Sequence, residues 1–152
     1  MIESGNINVY GGNGINGIHN ESNLSGENIL IGRVGALCGN VRLVCGDVWV
    51  TDNAFFVSEY LENVDKKFLT QMLIYIDLGQ SANQAAQPVI SYKGISKMKI
   101  PLPPLQIQQK TVTYLDQISQ KTEQLKKVQQ EKLQNLKALK ASILDKAFRG
   151  EL

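Results

Sequence analysis

The feature that most constrains the fold is a run of residues, 105–148, that contains neither proline nor glycine. Its residues are mostly glutamine, lysine, leucine, glutamate and alanine, which all favour the α-helix. A helix of this length would measure about 66 Å at 1.5 Å per residue, more than the diameter of a domain built from the rest of the chain. We therefore predict a long C-terminal helix that projects from the remainder of the molecule.

Apolar side chains recur along the predicted helix in steps of three and four, which is the pattern of a coiled-coil seam. Lys132 lies on this seam, where the heptad pattern slips locally. A projecting helix with one apolar stripe needs a partner helix, and a second copy of the chain is the simplest one. We predict an antiparallel homodimer through this seam. Its residues are Leu115, Ile118, Leu125, Val128, Leu136, Leu139 and Ile143.

The chain divides at residues 101–104, Pro-Leu-Pro-Pro, into a domain of residues 1–104 and a helical domain of residues 105–152. Before the prolines, short apolar runs alternate with glycine and asparagine, which is typical of strands and turns. Gly39 and Asn40 have the composition of a two-residue hairpin connection. The predicted strands are residues 7–10, 29–31, 34–38, 41–45, 48–51, 54–57, 89–91 and 98–100.

One helix is predicted inside the first domain, with Asn63 or Asp65 as its N-cap and Leu78 as its last residue. Gly79 suits the C-terminal stop of that helix. The fold class is therefore α+β, with a mainly antiparallel sheet followed by a projecting coiled-coil helix.

Charge is distributed unevenly along the chain. Residues 1–104 carry 7 Lys and Arg against 9 Asp and Glu, a net of −2, and residues 105–152 carry 9 against 5, a net of +4. A DNA-binding domain usually carries a basic face, so charge alone does not favour DNA for the first domain. The longest apolar stretch, residues 72–76, is far shorter than the roughly 20 residues of a membrane span.

Cys38, Cys45 and the single histidine, His19, cannot complete a four-ligand zinc site by themselves. We expect no metal, two free thiols and a cytoplasmic protein. No nucleophile–base pair and no methyltransferase active-site string is present, so we also expect no catalytic residue and no cofactor.

A glycine-rich string, residues 10–17, contains the spacing of the dinucleotide-binding fingerprint at Gly12, Gly14 and Gly17. That fingerprint needs a helix that starts inside the motif, and residues 18–26 are a polar run instead. Two interpretations stay open: a tight structural turn, or a loop whose backbone lies close to nucleic acid.

Cations and amides of the first domain are the candidate DNA contacts. Amides in the polar loop, residues 81–87, can pair with adenine edges in a major groove, and arginines with guanine or phosphate. For each of these residues, ordinary solvated surface is the alternative. The candidates are Asn13, Asn16, Arg33, Arg42, Asn83, Gln84 and Lys93.

Six strings, in this order, resemble the specificity subunits of type I restriction-modification systems, and together they cover nearly the whole chain. They are VYGGNGI at 9–15, ILIGR at 29–33 with Gly35 and Cys38-Gly39, WVTDNA at 49–54, QPVIS at 87–91, IPLPPL at 100–105 with Gln108 or Gln109, and SILDKAFRGEL at 142–152.

The resemblance implies a non-catalytic protein that recognises double-stranded DNA. Such subunits contain two target-recognition domains, each followed by a long helix, and the antiparallel helices hold the domains apart over a bipartite site. They dock methyltransferase subunits and, in the full complex, translocating nuclease subunits. This chain matches one half and begins almost at the glycine loop, so we expect it to lack the usual first part of the domain. The alternative is a coiled-coil remnant that competes for methyltransferase subunits without binding DNA.

Overall fold

The computed structural model describes residues 5–83 and 87–151. The chain divides into two compact units, one that ends at Gln109 and one that begins at Lys110. The strands are β1 (Ile7–Gly11), β2 (Gly14–His19), β3 (Asn28–Gly32), β4 (Val41–Val44), β5 (Val48–Val50) and β6 (Ala54–Phe56). The helices are α1 (Lys66–Ile76), a 3-10 helix (Leu78–Ser81), α2 (Tyr92–Ile95) and α3 (Leu105–Phe148).

Two three-stranded sheets form the first unit. The first has the order β2-β1-β5, in which β1 and β2 form an antiparallel hairpin and β1 and β5 run parallel. The second has the order β4-β3-β6, and both of its pairings are antiparallel. Three of the four pairings are therefore antiparallel, which confirms the predicted α+β class.

Strand β3 lies at the centre of the core, because all five of its residues are buried. Ile29 and Ile31 belong to one apolar cluster, and Leu30, whose side chain points to the opposite face, belongs to a second. The first cluster also contains Val41, Leu73, Leu78 and Ile90. The second also contains Val44, Val48, Val50 and Ala54. A strand that is apolar on both faces is covered on both sides.

Helix α1 begins where the sequence predicted and ends earlier. Asp65 is the N-cap, and its Oδ1 accepts a hydrogen bond from the Phe68 N–H at 2.9 Å. The helix ends at Ile76 because Asp77 adopts a left-handed conformation, with φ 55°, and acts as the C-cap. The predicted stop at Gly79 was therefore wrong, since an aspartate tolerates this conformation better than most residues.

Residues 34–38 do not form the predicted strand. Val34 makes one isolated bridge to Val89, and the chain then turns through Gly35 and Gly39, whose φ angles are 99° and 89°. Positive φ angles interrupt a strand, so the hairpin joins β3 to β4 across residues 33–40 rather than across Gly39 and Asn40 alone.

Strand β2 and helix α2 were not predicted from the sequence, and the strand predicted at residues 98–100 was wrong. Polar residues in 14–19 concealed β2, which pairs with β1 across a bulge between Val9 and Tyr10. Helix α2 begins at an N-cap, Ser91, whose hydroxyl accepts from the Gly94 N–H at 3.1 Å.

Helix α3 is continuous over 44 residues, as predicted. Six of the predicted seam residues are between 43 and 65% exposed, and Leu115 is partly buried. Within the described residues, no helix combines the length and the apolar character that crossing a membrane requires.

Candidate nucleic-acid interface

The turn between β1 and β2 is in contact with an arginine of the other sheet. Arg42, on β4, donates from its Nη2 to the carbonyl oxygen of Asn13 at 3.1 Å. Gly14 has a φ of 112°, and a Cβ added to it would lie 3.0 to 3.4 Å from the Arg42 guanidinium group. The guanidinium group therefore rests against the hairpin turn, because Gly14 has no side chain there.

Gly12 of the same turn has a packing role. A Cβ on Gly12 would lie 2.1 Å from the carbonyl oxygen of Val34, and a Cβ on Gly32 would lie 2.1 Å from the carbonyl oxygen of Gly12. Backbone of the first sheet thus touches backbone of the second. This contact supports the interpretation of the glycine string as a tight structural turn, while Asn13 and Asn16 remain exposed beside it.

Arg33 is half-buried and holds the turn that precedes β6. Its Nη1 donates to the carbonyl oxygen of Asp52 at 3.2 Å, and its guanidinium carbon lies 5.4 Å from the centre of the Phe55 ring. Its Nε is buried and has no hydrogen-bond partner among the described residues. Arg33 is therefore less accessible than Arg42, and it has a structural role that the sequence did not reveal.

Asn83 closes the polar loop that follows the 3-10 helix. Its Oδ1 accepts from the Val89 N–H at 2.8 Å, and its own N–H donates to the Val89 carbonyl at 3.2 Å. Gln84 lies outside the described residues. Lys93 is exposed on α2, which packs against the 3-10 helix.

The described contacts link the hairpin and the polar loop through residues 33–35. Gly12 touches Val34, which bridges to Val89 at the end of the loop. The Gly35 N–H also donates to the Pro88 carbonyl at 2.9 Å. Arg42 thus lies against the hairpin turn at Asn13, Asn16 lies on β2 of the same hairpin, and Asn83 lies beyond the connecting segment.

A cleft of about 640 Å³ adjoins Asn83. Two further amides, Asn40 and Gln80, line it, and neither is among the DNA contacts predicted from the sequence. Gln80 donates to the Asp77 carboxylate at 3.3 Å. Asn40 and Gln80 have the same amide chemistry as the predicted candidates, but only the folded turns place them beside Asn83.

The charge at the hairpin turn favours an anionic or electron-rich partner. Among residues 5–83 and 87–151, Arg42 donates to a main-chain carbonyl group rather than to a carboxylate, and so does Arg33 in the connecting segment. A neutral acceptor leaves the positive charge of the guanidinium group uncompensated, although the first unit as a whole carries a net charge of −2.

Tyr60 is a titratable group with a structural role. Burial raises the pKa of its hydroxyl, the hydrogen bond from the Ile29 N–H lowers that pKa, and the nearby Glu27 carboxylate raises it. The net shift is upward. The hydroxyl accepts from Ile29 at 2.9 Å, and Lys66 lies over the ring, 4.5 Å from its centre.

The edge of the first sheet is fixed by residues that the sequence did not identify. The Asn23 side chain donates to the Val50 carbonyl at 2.8 Å and accepts from the Val50 N–H at 2.7 Å. The His19 ring packs on Trp49, with 4.2 Å between ring centres, and its Nδ1 accepts from the Glu21 N–H at 3.0 Å. Cys38 and Cys45 are free thiols.

The family model described as "Type I restriction modification DNA specificity domain" matches residues 2–135. The chain belongs to this family. This specificity domain is 34% identical over 119 residues to the type I restriction enzyme EcoprrI specificity subunit of Escherichia coli, an alignment that covers 78% of the chain and 29% of that subunit.

Two solved structures share the fold of the specificity domain. One, described as the structural basis underlying complex assembly and conformational transition of the type I R-M system, has a TM-score of 0.73 and 26% identity; the match covers 100% of this chain and 40% of that one. The type I S subunit from M. genitalium has a TM-score of 0.65 and 19% identity, over 82% of this chain and 34% of that one. The chain thus spans roughly a third of the length of these relatives.

Proposed function

We propose that this specificity domain recognises a DNA sequence and directs methyltransferase subunits to it. Family membership over residues 2–135 supports this function most strongly. Within the domain, the β1–β2 hairpin and Arg42 form the principal contact, because an exposed guanidinium group fixed on a turn is ready to meet a base edge or a phosphate.

The amide side chains supply the remaining sequence discrimination. Asn13 and Asn16 are exposed on the hairpin, and an exposed carboxamide pairs with an adenine edge. Asn83 and Lys93 are the further proposed contacts on and after the polar loop, and Gln84 stays a prediction from the sequence. Arg33 acts mainly by holding the turn at Asp52 in place.

The net charge of −2 on the first unit requires help with phosphate neutralisation. We propose that the methyltransferase subunits, and the nuclease subunits of a complete complex, contribute that positive charge. The specificity domain then supplies base recognition and no chemical step.

The exposed stripe of α3 supports the pairing of α3 with a second helix, in an antiparallel arrangement that places one recognition domain near each end. For the 152-residue chain by itself, we propose that the second helix comes from another copy. Two identical domains related by a twofold axis require a palindromic, interrupted target.

A gel-shift titration of the chain with its methyltransferase subunits tests the DNA contact. Arg42→Ala should weaken binding of the preferred sequence by about 1–3 kcal/mol and relax the preference at one base pair. Lys97→Ala is the control, since Lys97 is an exposed cation of the same unit that is not among the proposed DNA contacts. Equal loss in both variants, or none in either, would contradict the assignment of Arg42.

A further inference from the structure

Gln108 is completely buried, although it lies in the first turns of α3 among exposed glutamines. Its Oε1 accepts from the Asp65 N–H at 2.8 Å. Its Nε2 donates to the Asn63 carbonyl at 2.9 Å and to the Pro103 carbonyl at 2.7 Å. Both amide hydrogens are therefore used, and the oxygen is satisfied as well.

These three bonds join two separate parts of the first unit. Asn63 and Asp65 lie at the start of α1, where Asp65 is also the N-cap, and Pro103 belongs to the proline segment before α3. The beginning of α3 is thus tied to the beginning of α1 by one side chain. All of these contacts lie in the unit that ends at Gln109.

A buried amide with three hydrogen bonds of ordinary length fixes both the position and the direction of the backbone segment that carries it. An apolar side chain of similar size would fill the same space, but it would tolerate small rotations that a hydrogen-bonded amide resists. Pro101, Pro103 and Pro104 stiffen the segment that enters the helix, since proline fixes its own φ angle.

We infer that Gln108 is a positioning residue for target spacing: by locking the first turn of α3 to the start of α1, it sets the course of the helix and hence the separation of the two half-sites. This inference rests on the proposed function. A tilt of about 5° at the base of a helix about 66 Å long moves its far end by about 6 Å. This sideways displacement is several times the 1 Å misplacement that can lower a rate roughly 100-fold.

Spacing selectivity of the assembled complex provides the main test. The chain and its methyltransferase subunits would be offered a series of targets whose spacers differ by one base pair. The wild type should methylate one spacer length best. Gln108→Ala should lower, by about tenfold, the ratio of methylation at that spacer length to methylation at the neighbouring lengths. This is a part of the roughly 100-fold loss of rate that a 1 Å misplacement can cause. The preferred bases of the half-sites should not change.

Gln106→Ala is the matched control, because Gln106 is an exposed glutamine in the same turn of α3. It should keep the spacing preference of the wild type. A Gln108→Ala complex that is as selective for spacer length as the wild type would overturn the inference and leave the proposed function intact. A wild-type complex without any sequence preference would overturn the proposed function, and this inference with it.

A distance measurement tests the same inference without DNA. The chain would carry one spin label on Cys45, which is exposed, and one on a cysteine introduced at Lys127, in a Cys38→Ser background that leaves no other thiol. The sample would be diluted with unlabelled chain, so that the measured distances are those between the two labels of one chain. We expect a narrow distribution in the wild type and a broad one in Gln108→Ala. A broad distribution in the wild type would by itself overturn the inference. The test therefore works even if the Gln108→Ala chain fails to fold.

Discussion

The two units of this specificity domain differ in the exposure of their apolar side chains. In the unit that ends at Gln109, Ile29 and Ile90 are fully buried and the two apolar clusters share one central strand. In the unit that begins at Lys110, Leu125 and Leu136 are 65 and 55% exposed. The first unit buries its apolar residues in its own core, whereas the second exposes an apolar stripe, which the proposed partner helix would cover.

The largest predicted effect falls on the second unit. Leu125→Asp combined with Leu136→Asp should place unpaired charge in the proposed helix seam, cost several kcal/mol per dimer and yield a monomer. Light scattering at tens of micromolar would measure the change. Gln120→Asp with Gln134→Asp introduces the same charge on the opposite side of α3 and should remain dimeric. A monomeric wild type, or a dimeric Leu variant, would contradict the dimer.

The next effect falls on the contact between the two sheets of the first unit. Gly12→Ala should destabilise this unit by about 3 kcal/mol, because the new Cβ would meet the Val34 carbonyl oxygen and backbone must move. Gly26→Ala is the control: its φ of 84° is strained for alanine, but nothing lies within 4 Å of the added Cβ, so its cost should be about 1 kcal/mol. Chemical denaturation of both variants measures the difference, and equal losses would refute the steric explanation.

The smallest effect concerns Tyr60. Tyr60→Phe should cost about 1–2 kcal/mol, because the Ile29 N–H loses its acceptor. The pKa of Tyr60 is raised in the folded chain, so its contribution is present below the ordinary pKa of about 10 and is lost as pH rises through the folded value. The stability difference between wild type and variant should therefore shrink above about pH 10; thermal melts that stay parallel to higher pH would exclude this role.

The helix α3 and the first-unit core could be predicted from the sequence because each depends on local periodicity. Strand β3 was predicted from its apolar run, and α3 from a composition that continues for 44 residues. The false strand at 34–38 shows the limit of this approach, since the φ angles of Gly35 and Gly39 depend on the fold around them.

The site was less predictable than the fold. Arg42 was selected by residue type alone, but its bond to Asn13 joins residues 29 positions apart and depends on how the two sheets meet. The role of Gln108 could not be predicted, since its partners at Asn63 and Asp65 lie 45 and 43 positions away. Long-range hydrogen bonds of this kind leave no periodic signal in the sequence.

The most direct test of DNA recognition is to sequence the DNA that the chain, in complex with its methyltransferase subunits, selects from a random pool. We expect one enriched motif made of two half-sites with a fixed spacer, and a palindrome if the chain pairs with its own copy. A pool that binds without any enriched motif, although the complex is intact, would contradict DNA recognition by this specificity domain.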